Sequence, residues 1–358
     1  MEIKITRQAP DKMKPKYTDE STLGFGKIFT DHMFTLEYGP DGGWHDPQIR
    51  PYQAFSLDPA AMGLHYGQLI FEGLKAYRGK NGEIHLFRPL ENIRRMKISA
   101  ERLCMPTVDE DLFFEAIEKL VLLEQDWIPH GIGTSLYIRP TMIATEAALG
   151  VHPANAYLFF IIAVPVGAYY PEGFSPTKIY VVEDYVRAAP GGMGNVKAAG
   201  NYAASLFAMS LAIEKGYTQV LWLDAIHRKY VEEVGTSNIF FCIGDELITP
   251  PLGGSILPGV TRDSVIQLAK SWGVRVAEKP LSIDEIIEAG LKGTLKEAFA
   301  SGTAAVVSPI GQLFYRGQEY VVNGGQTGQL TEKLYNEMLR IQYGEQEDPF
   351  GWRVKIAG

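Results

Sequence analysis

The chain has 358 residues, of which 46% are apolar, and its 34 basic and 42 acidic residues give a net charge of −8. This length fits two domains of ordinary size, each with a core of its own. The acidic and basic residues are well mixed along the chain, which argues against a surface for nucleic acid or for an anionic membrane.

The opening stretch, the longest apolar run and the cysteines favour a cytoplasmic protein. The opening stretch MEIKITRQAPDKMKPK lacks the apolar region of a signal peptide. The longest apolar run is shorter than the roughly 18 residues of a membrane span and is interrupted by Pro165 and Gly167. Cys104 and Cys242 are too far apart in the sequence for a disulfide framework, so we expect two buried thiols in a reducing compartment.

The predicted elements of the first half are a hairpin and two helices. EGLKAYRGKNGEIHLFRP contains two extended runs around Asn81 and Gly82, a dipeptide typical of hairpin turns. Amphipathic helices are predicted for LENIRRMKISAERLC and for DEDLFFEAIEKLVLLEQDW, which opens on acidic residues as helix N-termini prefer. The first half therefore combines antiparallel sheet with packed helices.

A domain boundary is predicted after the apolar run AYLFFIIAVPVGAYY. The stretch GAYYPEGFSPTK concentrates glycine, proline and aromatic residues between two β-branched runs. We therefore predict an N-terminal domain over residues 1–167, an interdomain loop over 168–178 and a C-terminal domain over 179–358.

The second half alternates helices with short strands. NYAASLFAMSLAIEKG is predicted to be a nearly all-apolar helix that ends at Gly216, and TQVLWLD is a buried strand. KYVEEVGTSNIFFCIGDELITP indicates short strands joined by turns. GVTRDSVIQLAKSWG is predicted to be a helix with Thr261 as a candidate N-cap, and LTEKLYNEMLRIQYG a terminal amphipathic helix. Hairpins mixed with helices in both halves indicate an α+β fold rather than a doubly wound sheet.

Short motifs of several enzyme classes are absent. The sequence has no GxxxxGK[ST], HExxH, CxxC or GxSxG, and its seven histidines lack metal-ligand spacing. GGMGNV faintly resembles a dinucleotide-binding turn, but Lys197 occupies the place of the third glycine and no suitable acidic residue follows. We therefore predict no metal site, no serine nucleophile and no dinucleotide site.

Lys197 lies in GGMGNVKAAGNY, after a glycine-rich turn and before the apolar helix. The positive end of a helix and an apolar environment both favour the neutral form of a lysine amine. Such an amine can attack a carbonyl group and form a Schiff base. The alternative is a structural lysine at a helix end with its charged head in water, and this stretch alone does not exclude it.

Three further stretches could bind a ligand beside such a lysine. EEVGTSNIF places Glu233 three residues before Thr236 at a strand end. LPGVTRDSV presents the amides of Val260 and Thr261 at a helix start, which suits a phosphate group. ASGTAAVV adds a second Gly-Thr turn at Thr303. Each has a plainer interpretation as a solvated turn or an ordinary helix start.

A series of stretches, in this order, resembles branched-chain amino acid aminotransferases: FGKIFTDHMF, FEGLKAY, LFRP, RPTMIATEAALG, VGAYY, GNVKAAGNYAASL, VEEVGTSNIFF, LPGVTRDSV and ASGTAAVVSPI. These are pyridoxal-phosphate enzymes of fold type IV, and the resemblance reaches the C-terminal helix. It implies a smaller N-terminal α/β domain, a larger C-terminal cofactor domain, pyridoxal 5'-phosphate as cofactor and a homodimer whose neighbouring chain helps to close the site.

The resemblance also implies roles at the cofactor. Lys197 corresponds to the lysine that forms the Schiff base and moves the proton. Glu233 corresponds to the acid that faces the pyridine nitrogen and keeps it protonated, and Tyr202 to the tyrosine at the phenolic oxygen. Arg95, rather than the adjacent Arg94, corresponds to the phosphate-binding arginine from its offset to FRP. The other implied cofactor contacts are Thr236, Val260, Thr261 and Thr303.

For the substrate, the resemblance implies an aromatic wall and two carboxylate contacts. Phe25, Tyr66 and Tyr137 correspond to the wall around a branched side chain, whose burial is worth about 1.5 to 3 kcal/mol. Thr303 and Ala304 lie on the turn that holds the substrate carboxylate. Arg139 is a candidate for the second carboxylate of glutamate, with a structural ion pair as the equal alternative.

The implied reaction moves the amino group of L-leucine, L-isoleucine or L-valine to 2-oxoglutarate by a ping-pong route. A D-amino acid aminotransferase or an aminodeoxychorismate lyase of the same fold is the alternative within the fold. A cofactor-free binding protein with a structural Lys197 is the alternative from another class.

Overall fold

The structure, a computed structural model, describes residues 1–167 and 174–357. Within these residues the chain forms two compact units. The first unit consists of 1–167, Val196–Gly200 and 339–357, and the second of 174–195 and Asn201–Met338. Residues 168–173 of the predicted interdomain loop lie outside the described residues, and a strand already begins at Thr177. The predicted domain boundaries stay a prediction.

Five of the seven α-helices in the described chain come from predicted stretches, and the helices Met62–Tyr66 and Ile283–Leu291 were not predicted. The seven helices are α1 Met62–Tyr66, α2 Pro89–Arg102, α3 Glu110–Leu123, α4 Ala199–Glu214, α5 Val260–Ser271, α6 Ile283–Leu291 and α7 Gln329–Tyr343. Helix α3 begins where the side chain of Asp109 accepts a hydrogen bond from the Leu112 N–H, and a capping box of Ser282 and Glu285 opens α6.

The first unit is built on one sheet that is antiparallel apart from its first strand pair. Its strands are β1 Lys4–Ile5, β2 His32–Gly39, β3 Gly43–Pro51, β4 Leu69–Phe71, β5 Leu74–Arg78, β6 Ile84–Phe87, β7 Ser135–Ala144, β8 Tyr157–Val166 and β18 Arg353–Ala357. The order is β1-β3-β2-β8-β7-β5-β6-β18, and β4 pairs with β7. Strands β5 and β6 are the predicted hairpin around Asn81 and Gly82.

The second unit is built on a mixed sheet. Its strands are β9 Thr177–Val182, β10 Gln219–Leu223, β11 Val231–Val234, β12 Ser237–Ile243, β13 Glu246–Thr249, β14 Arg275–Glu278, β15 Leu295–Gly302, β16 Val306–Tyr315 and β17 Gln318–Val321. The order is β11-β10-β9-β16-β15-β12-β13-β14, with β17 on β16 and a further β11–β12 pairing. Sheets and helices in both units confirm the predicted α+β class.

A buried polar cluster gives the stretch FGKIFTDHMF a structural role in the first unit. Asp31 accepts hydrogen bonds from the Lys14 amide at 2.7 Å and from the Trp127 indole at 2.8 Å. His32 accepts the Gln8 amide at its Nε2, and its Nδ1 contacts the buried Glu124. Because buried polar groups are costly without partners, this cluster fixes the N-terminal segment on β2.

Two predictions from the sequence are wrong. Gly259, not Thr261, is the N-cap of α5, so Thr261 is the second residue of the helix. Cys104 is exposed and Cys242 only half-buried, although both were expected in the core. Cys104 follows the end of α2 with a φ of 54°, a left-handed conformation typical of helix termini, and this turns it outward. No helix in the described parts of the chain has the length and apolarity of a membrane span.

Candidate active site

Lys197 is held through its backbone in the first unit. It lies two residues before the start of α4. Its N–H donates to the Ser99 hydroxyl at 3.0 Å, and its carbonyl accepts the Phe71 N–H at 3.1 Å. The next residue, Ala198, forms an antiparallel bridge with Ile70. A strand and a helix therefore fix the backbone from which this side chain extends.

The Lys197 amine lies over an aromatic ring. Its Nζ is 4.7 Å from the ring centroid of Phe71, and the guanidinium carbon of Arg139 is 4.6 Å from the same centroid. Arg139 Nη2 also donates to the Tyr137 hydroxyl at 2.9 Å. Among the described residues no carboxylate lies within ion-pair distance of Arg139, and its Nε has no hydrogen-bond partner. The guanidinium is thus held by an aromatic and a hydroxyl group rather than by an acid.

Arg95 is bound by a buried carboxylate. Glu72 is 0% exposed and accepts Arg95 Nε at 2.7 Å and Arg95 Nη2 at 2.9 Å, a paired geometry that fits a planar guanidinium. The same carboxylate accepts the Asn92 side chain at 2.9 Å and the Gly73 N–H at 3.0 Å. Both oxygen atoms of Glu72 are therefore used by protein donors.

The charge of Lys197 also reaches Glu72. Burial by itself raises the pKa of Glu72, but the guanidinium of Arg95, the positive charge of Lys197 and the Asn92 hydrogen bond outweigh it. The net result is a pKa below the usual value for a glutamate. Glu72 is therefore held in its ionised form chiefly by Arg95, one of the residues predicted to bind the cofactor.

Two of the predicted wall residues contact each other, and the third has different neighbours. The rings of Phe25 and Tyr137 meet edge to face with centroids 5.0 Å apart. A Cβ on Gly73 would lie 1.9 Å from the Tyr137 hydroxyl, so a larger residue at 73 would displace this ring. Tyr66, at the end of α1, is 42% exposed and donates to the Leu149 carbonyl.

Glu233 lies on β11 in the second unit and is 2% exposed. Its Oε1 accepts the Leu257 N–H at 2.8 Å and the Asn238 side chain at 3.3 Å. Its Oε2 lies 2.8 Å from Arg187 Nε. A backbone amide, an amide side chain and a guanidinium thus hold this buried carboxylate in one orientation.

The start of α5 has the features of an anion site. Val260 and Thr261 are its first two residues, and no side chain caps the helix. A Cβ on Gly259 would lie 2.0 Å from Asn238 Oδ1, so glycine lets the helix start approach the residue that also binds Glu233. Helix N-termini attract anions through their amides and dipole. Asn238 therefore donates a hydrogen bond to Glu233 and also lies against the start of α5.

The remaining predicted residues lie on a turn or on α4. Thr303 and Ala304 are half-buried in the turn between β15 and β16. Val306, which follows this turn, has a φ of 61°, a strained conformation for a β-branched residue. Thr236 is exposed in the β11–β12 turn, and Tyr202 is half-buried on α4.

Sequence reasoning missed two charged residues, each in contact with a predicted site residue of its own unit: Glu72 with Arg95, and Arg187 with Glu233. Glu72 lies inside FEGLKAY, where a carboxylate next to an apolar strand was available as a signal. Arg187 lies in YVRAAPGGMG, ten residues before Lys197, and no local pattern distinguishes it from a surface arginine. Across 1–167 and 174–357 no group of three or more histidine, cysteine or acidic residues converges as a metal site.

Comparison with known proteins defines the class. The family model for amino-transferase class IV matches residues 69–313, a span that contains Lys197, Arg95, Glu72 and Glu233. The chain therefore belongs to the class IV aminotransferases, which makes it a transaminase that depends on pyridoxal 5'-phosphate.

Individual relatives identify one family within this class of aminotransferases. Branched-chain-amino-acid aminotransferase 2 of Bacillus subtilis is 51% identical over 355 residues, 99% of this chain and 97% of the relative. A probable branched-chain-amino-acid aminotransferase of Staphylococcus aureus is 53% identical over 99% of this chain and 98% of its own length. The chain belongs to the branched-chain amino acid aminotransferase family.

Solved structures agree with this assignment. The Escherichia coli branched-chain amino acid aminotransferase matches with a TM-score of 0.76 and 28% identity, over 91% of this chain and 99% of that one. The branched-chain aminotransferase of the archaeon Thermoproteus uzoniensis, solved with norvaline, matches with a TM-score of 0.75 and 26% identity, over 91% and 99%. The predicted fold type IV is confirmed.

Proposed function

We propose that this enzyme transfers the amino group of L-leucine, L-isoleucine or L-valine to 2-oxoglutarate, giving a branched 2-oxo acid and L-glutamate. The names of its relatives support the substrate class, since those proteins are branched-chain aminotransferases over nearly their whole length. Small amino acids and oxo acids are accordingly its partners. The sparse, widely separated cysteines support a cytoplasmic location.

The residues present suit pyridoxal phosphate. A buried carboxylate, Glu233, fits a protonated pyridine nitrogen, and the uncapped start of α5 fits a phosphate dianion. We assign Arg95, Val260, Thr261 and Thr303 to the phosphate. Lys197 is assigned to the aldehyde carbon, and the remaining cofactor contacts are Tyr202 and Thr236.

When bound, pyridoxal phosphate supplies an electron-withdrawing ring that takes up the electron pair released from the substrate Cα. With the cofactor bound, Lys197 Nζ would accept the proton from that Cα and would be the group that donates it at C4′. Glu233 keeps a proton on the ring nitrogen through its negative charge. Glu72 fixes Arg95 by its two-point contact, so that the arginine loses little freedom when it meets the phosphate.

Substrate selectivity follows from aromatic and cationic groups in the first unit. The edge-to-face pair of Phe25 and Tyr137 offers an apolar wall for a branched side chain, to which we also assign Tyr66. Arg139, which contacts rings and a hydroxyl instead of an acid, is assigned to the second carboxylate of glutamate. Thr303 and Ala304 are assigned to the substrate carboxylate next to Cα.

The observation that carries the proposal is the position of Lys197, whose backbone is held by Ser99 and Phe71 and whose Nζ lies over the Phe71 ring. The test is the near-ultraviolet and visible spectrum of the holoenzyme before and after L-leucine, without any oxo acid. We expect the visible band to shift to shorter wavelength and to return with 2-oxoglutarate. A band that does not change with L-leucine but changes with D-alanine or aminodeoxychorismate would support a D-amino acid aminotransferase or an aminodeoxychorismate lyase instead.

Lys197→Ala and Lys215→Ala form a matched pair for this test. Lys215 is an exposed lysine just after the other end of α4. We expect Lys197→Ala to lose the leucine-dependent shift and Lys215→Ala to retain it. A normal response of Lys197→Ala would contradict the assignment of this lysine and favour a structural role.

A homodimer is part of the proposal, and helix α4 supports it. A helix that is apolar nearly all round belongs in an interior. In the single chain, however, Leu206, Phe207 and Ile213 are 63%, 58% and 60% exposed. Large apolar side chains exposed together on one helix are typical of an interface. We expect sedimentation to give a dimer for the wild type and a shift to monomer for Phe207→Asp.

A further inference from the structure

Arg187 contacts one carboxylate and two backbone carbonyl groups within the second unit. Its side chain is 8% exposed. Nη2 donates to the Gly194 carbonyl at 3.1 Å and to the Ser255 carbonyl, while Nε lies 2.8 Å from Glu233 Oε2. One guanidinium therefore joins the acid of β11 to the glycine turn that precedes Lys197 in the sequence.

That glycine turn is closely packed where Arg187 binds it. A Cβ on Gly194 would lie 2.1 Å from the Ser255 carbonyl oxygen and 2.5 Å from the Ala188 Cβ. The Asn201 side chain donates to the Met193 carbonyl at 2.7 Å at the same turn. The carbonyls that accept from Arg187 are thus fixed, and the guanidinium cannot rotate without losing them.

The contact between Arg187 and Glu233 acts mainly through charge. The Nε–H is not aligned for a hydrogen bond to Oε2, although the two atoms are at ion-pair distance. Oε1 receives the Leu257 amide instead. A positive charge at this distance in a buried setting stabilises the carboxylate form of Glu233 against protonation.

A second carboxylate near Arg187 does not take the same role. Glu232 precedes Glu233 on β11, so its side chain points to the opposite face of the strand. It contacts the Ser255 hydroxyl, and its Oε2 has no hydrogen-bond partner among the described residues. Burial raises the pKa of Glu232, with Ser255 and Arg187 opposing the rise. Of the two acids, Glu233 is the one at ion-pair distance from Arg187.

We propose that Arg187 is a positioning residue that keeps Glu233 ionised and fixes its orientation, and thereby keeps the ring nitrogen of the cofactor protonated. This inference rests on the proposed role of Glu233. Without the guanidinium, a proton shared by Glu233 and the ring nitrogen moves toward the carboxylate, because a buried uncompensated carboxylate is a stronger base. The ring then draws electrons less strongly.

The test uses holoenzyme loaded with pyridoxal phosphate that carries ¹⁵N at the ring position. The ¹⁵N chemical shift measures ring protonation directly and does not depend on turnover. We expect the protonated fraction at neutral pH to fall in the order wild type, Arg187→Lys, Arg187→Gln. Turnover of Arg187→Gln should fall by about 10- to 100-fold, the range typical of residues that orient the groups of a site without contacting the ligand.

Two controls separate this role from a structural one. Glu232→Gln removes the neighbouring acid and should leave the ¹⁵N shift unchanged. Arg262→Gln removes another buried arginine of the second unit, which binds the Pro250 carbonyl and Glu278. It should lower the thermal midpoint without moving the ¹⁵N shift. If Arg187→Gln does not fold, Arg187→Lys still tests the proposal, because it keeps a charge but not the planar contact set.

The results distinguish this inference from the proposed function. A wild-type ¹⁵N shift in both Arg187 variants would overturn the inference while Glu233→Ala still lost ring protonation. A wild-type shift in Glu233→Ala would overturn the role of Glu233 itself. A Glu232→Gln variant that behaves like Arg187→Gln would show that the arginine acts through the other acid and would overturn the inference as well.

Discussion

Each unit of the molecule contains a buried carboxylate beside a buried arginine, and the two pairs differ in geometry. In the first unit, Glu72 and Arg95 meet through two hydrogen bonds, at 2.7 and 2.9 Å. In the second unit, Glu233 Oε2 lies 2.8 Å from Arg187 Nε, and this contact is not aligned for a hydrogen bond.

The difference indicates two uses of the same residue types. The oxygen atoms of Glu72 are occupied by Arg95, Asn92 and the Gly73 amide, so this carboxylate fixes an arginine. Glu233 faces the positive charge of Arg187 without a hydrogen bond from its Nε. This carboxylate is the one that we assign to a ligand. Loss of the first pair should therefore affect stability most, and loss of the second should affect chemistry most.

The largest effect is expected for Glu233→Ala. If this acid keeps the ring nitrogen protonated, kcat for L-leucine should fall by about 10²- to 10⁴-fold, the range of a positioned acid or base. The cofactor should still attach to Lys197, which its visible band would report. Stopped-flow measurement of the leucine half reaction checks this, and full turnover in the variant would remove the assigned role.

Glu72→Gln should act mainly on folding and cofactor affinity. Removing one charge of a buried ion pair leaves Arg95 uncompensated, which costs about 3–5 kcal/mol in the free energy of unfolding. Urea unfolding of the apoenzyme measures this cost. The matched variant Glu91→Gln changes an exposed acid that pairs with Arg94 on the same helix, and it should change stability by less than about 1 kcal/mol.

The Glu72–Arg95 pair also predicts how the stability of the protein depends on pH. The pKa of Glu72 is lowered in the folded state, so the unfolded chain binds more protons as the pH falls. Its stabilising contribution is therefore complete above the unfolded carboxyl pKa of about 4.3 and is lost as the pH falls through the folded value. The stability difference between wild type and Glu72→Gln should shrink below about pH 4.3. A difference that is constant down to acid unfolding would contradict the ionised state.

The smallest effect is expected outside both pairs, for Tyr137→Phe. This change keeps the ring contact with Phe25 and removes the hydroxyl that accepts Arg139 Nη2. A lost neutral acceptor for a charged donor costs about 1.5–3 kcal/mol. We expect KM for 2-oxoglutarate to rise by roughly 10- to 100-fold on that scale, and KM for L-leucine to change little. Equal changes for both substrates would argue against Arg139 as a carboxylate contact.

Much of the fold could be predicted from the sequence, because local residue patterns determine its hairpin and most of its helices. The hairpin β5–β6 follows from Asn81 and Gly82, and the helical periodicity predicted α2, α3, α5 and α7. The family was accessible because a series of short stretches in one order is far more specific than any single motif. The N-cap of α5 and the exposure of Cys104 were not, since both depend on backbone angles at helix ends.

The sequence by itself determined the α+β class, the aminotransferase family and Lys197 as the residue to examine. Only the tertiary structure decided which charges meet: Glu72 and Arg95 are 23 positions apart, and Arg187 and Glu233 are 46 apart in the numbering. Ion pairing between residues far apart in the sequence depends on three-dimensional distance and burial, and no local periodicity encodes either quantity. The two arginine–carboxylate pairs are therefore properties of the folded chain.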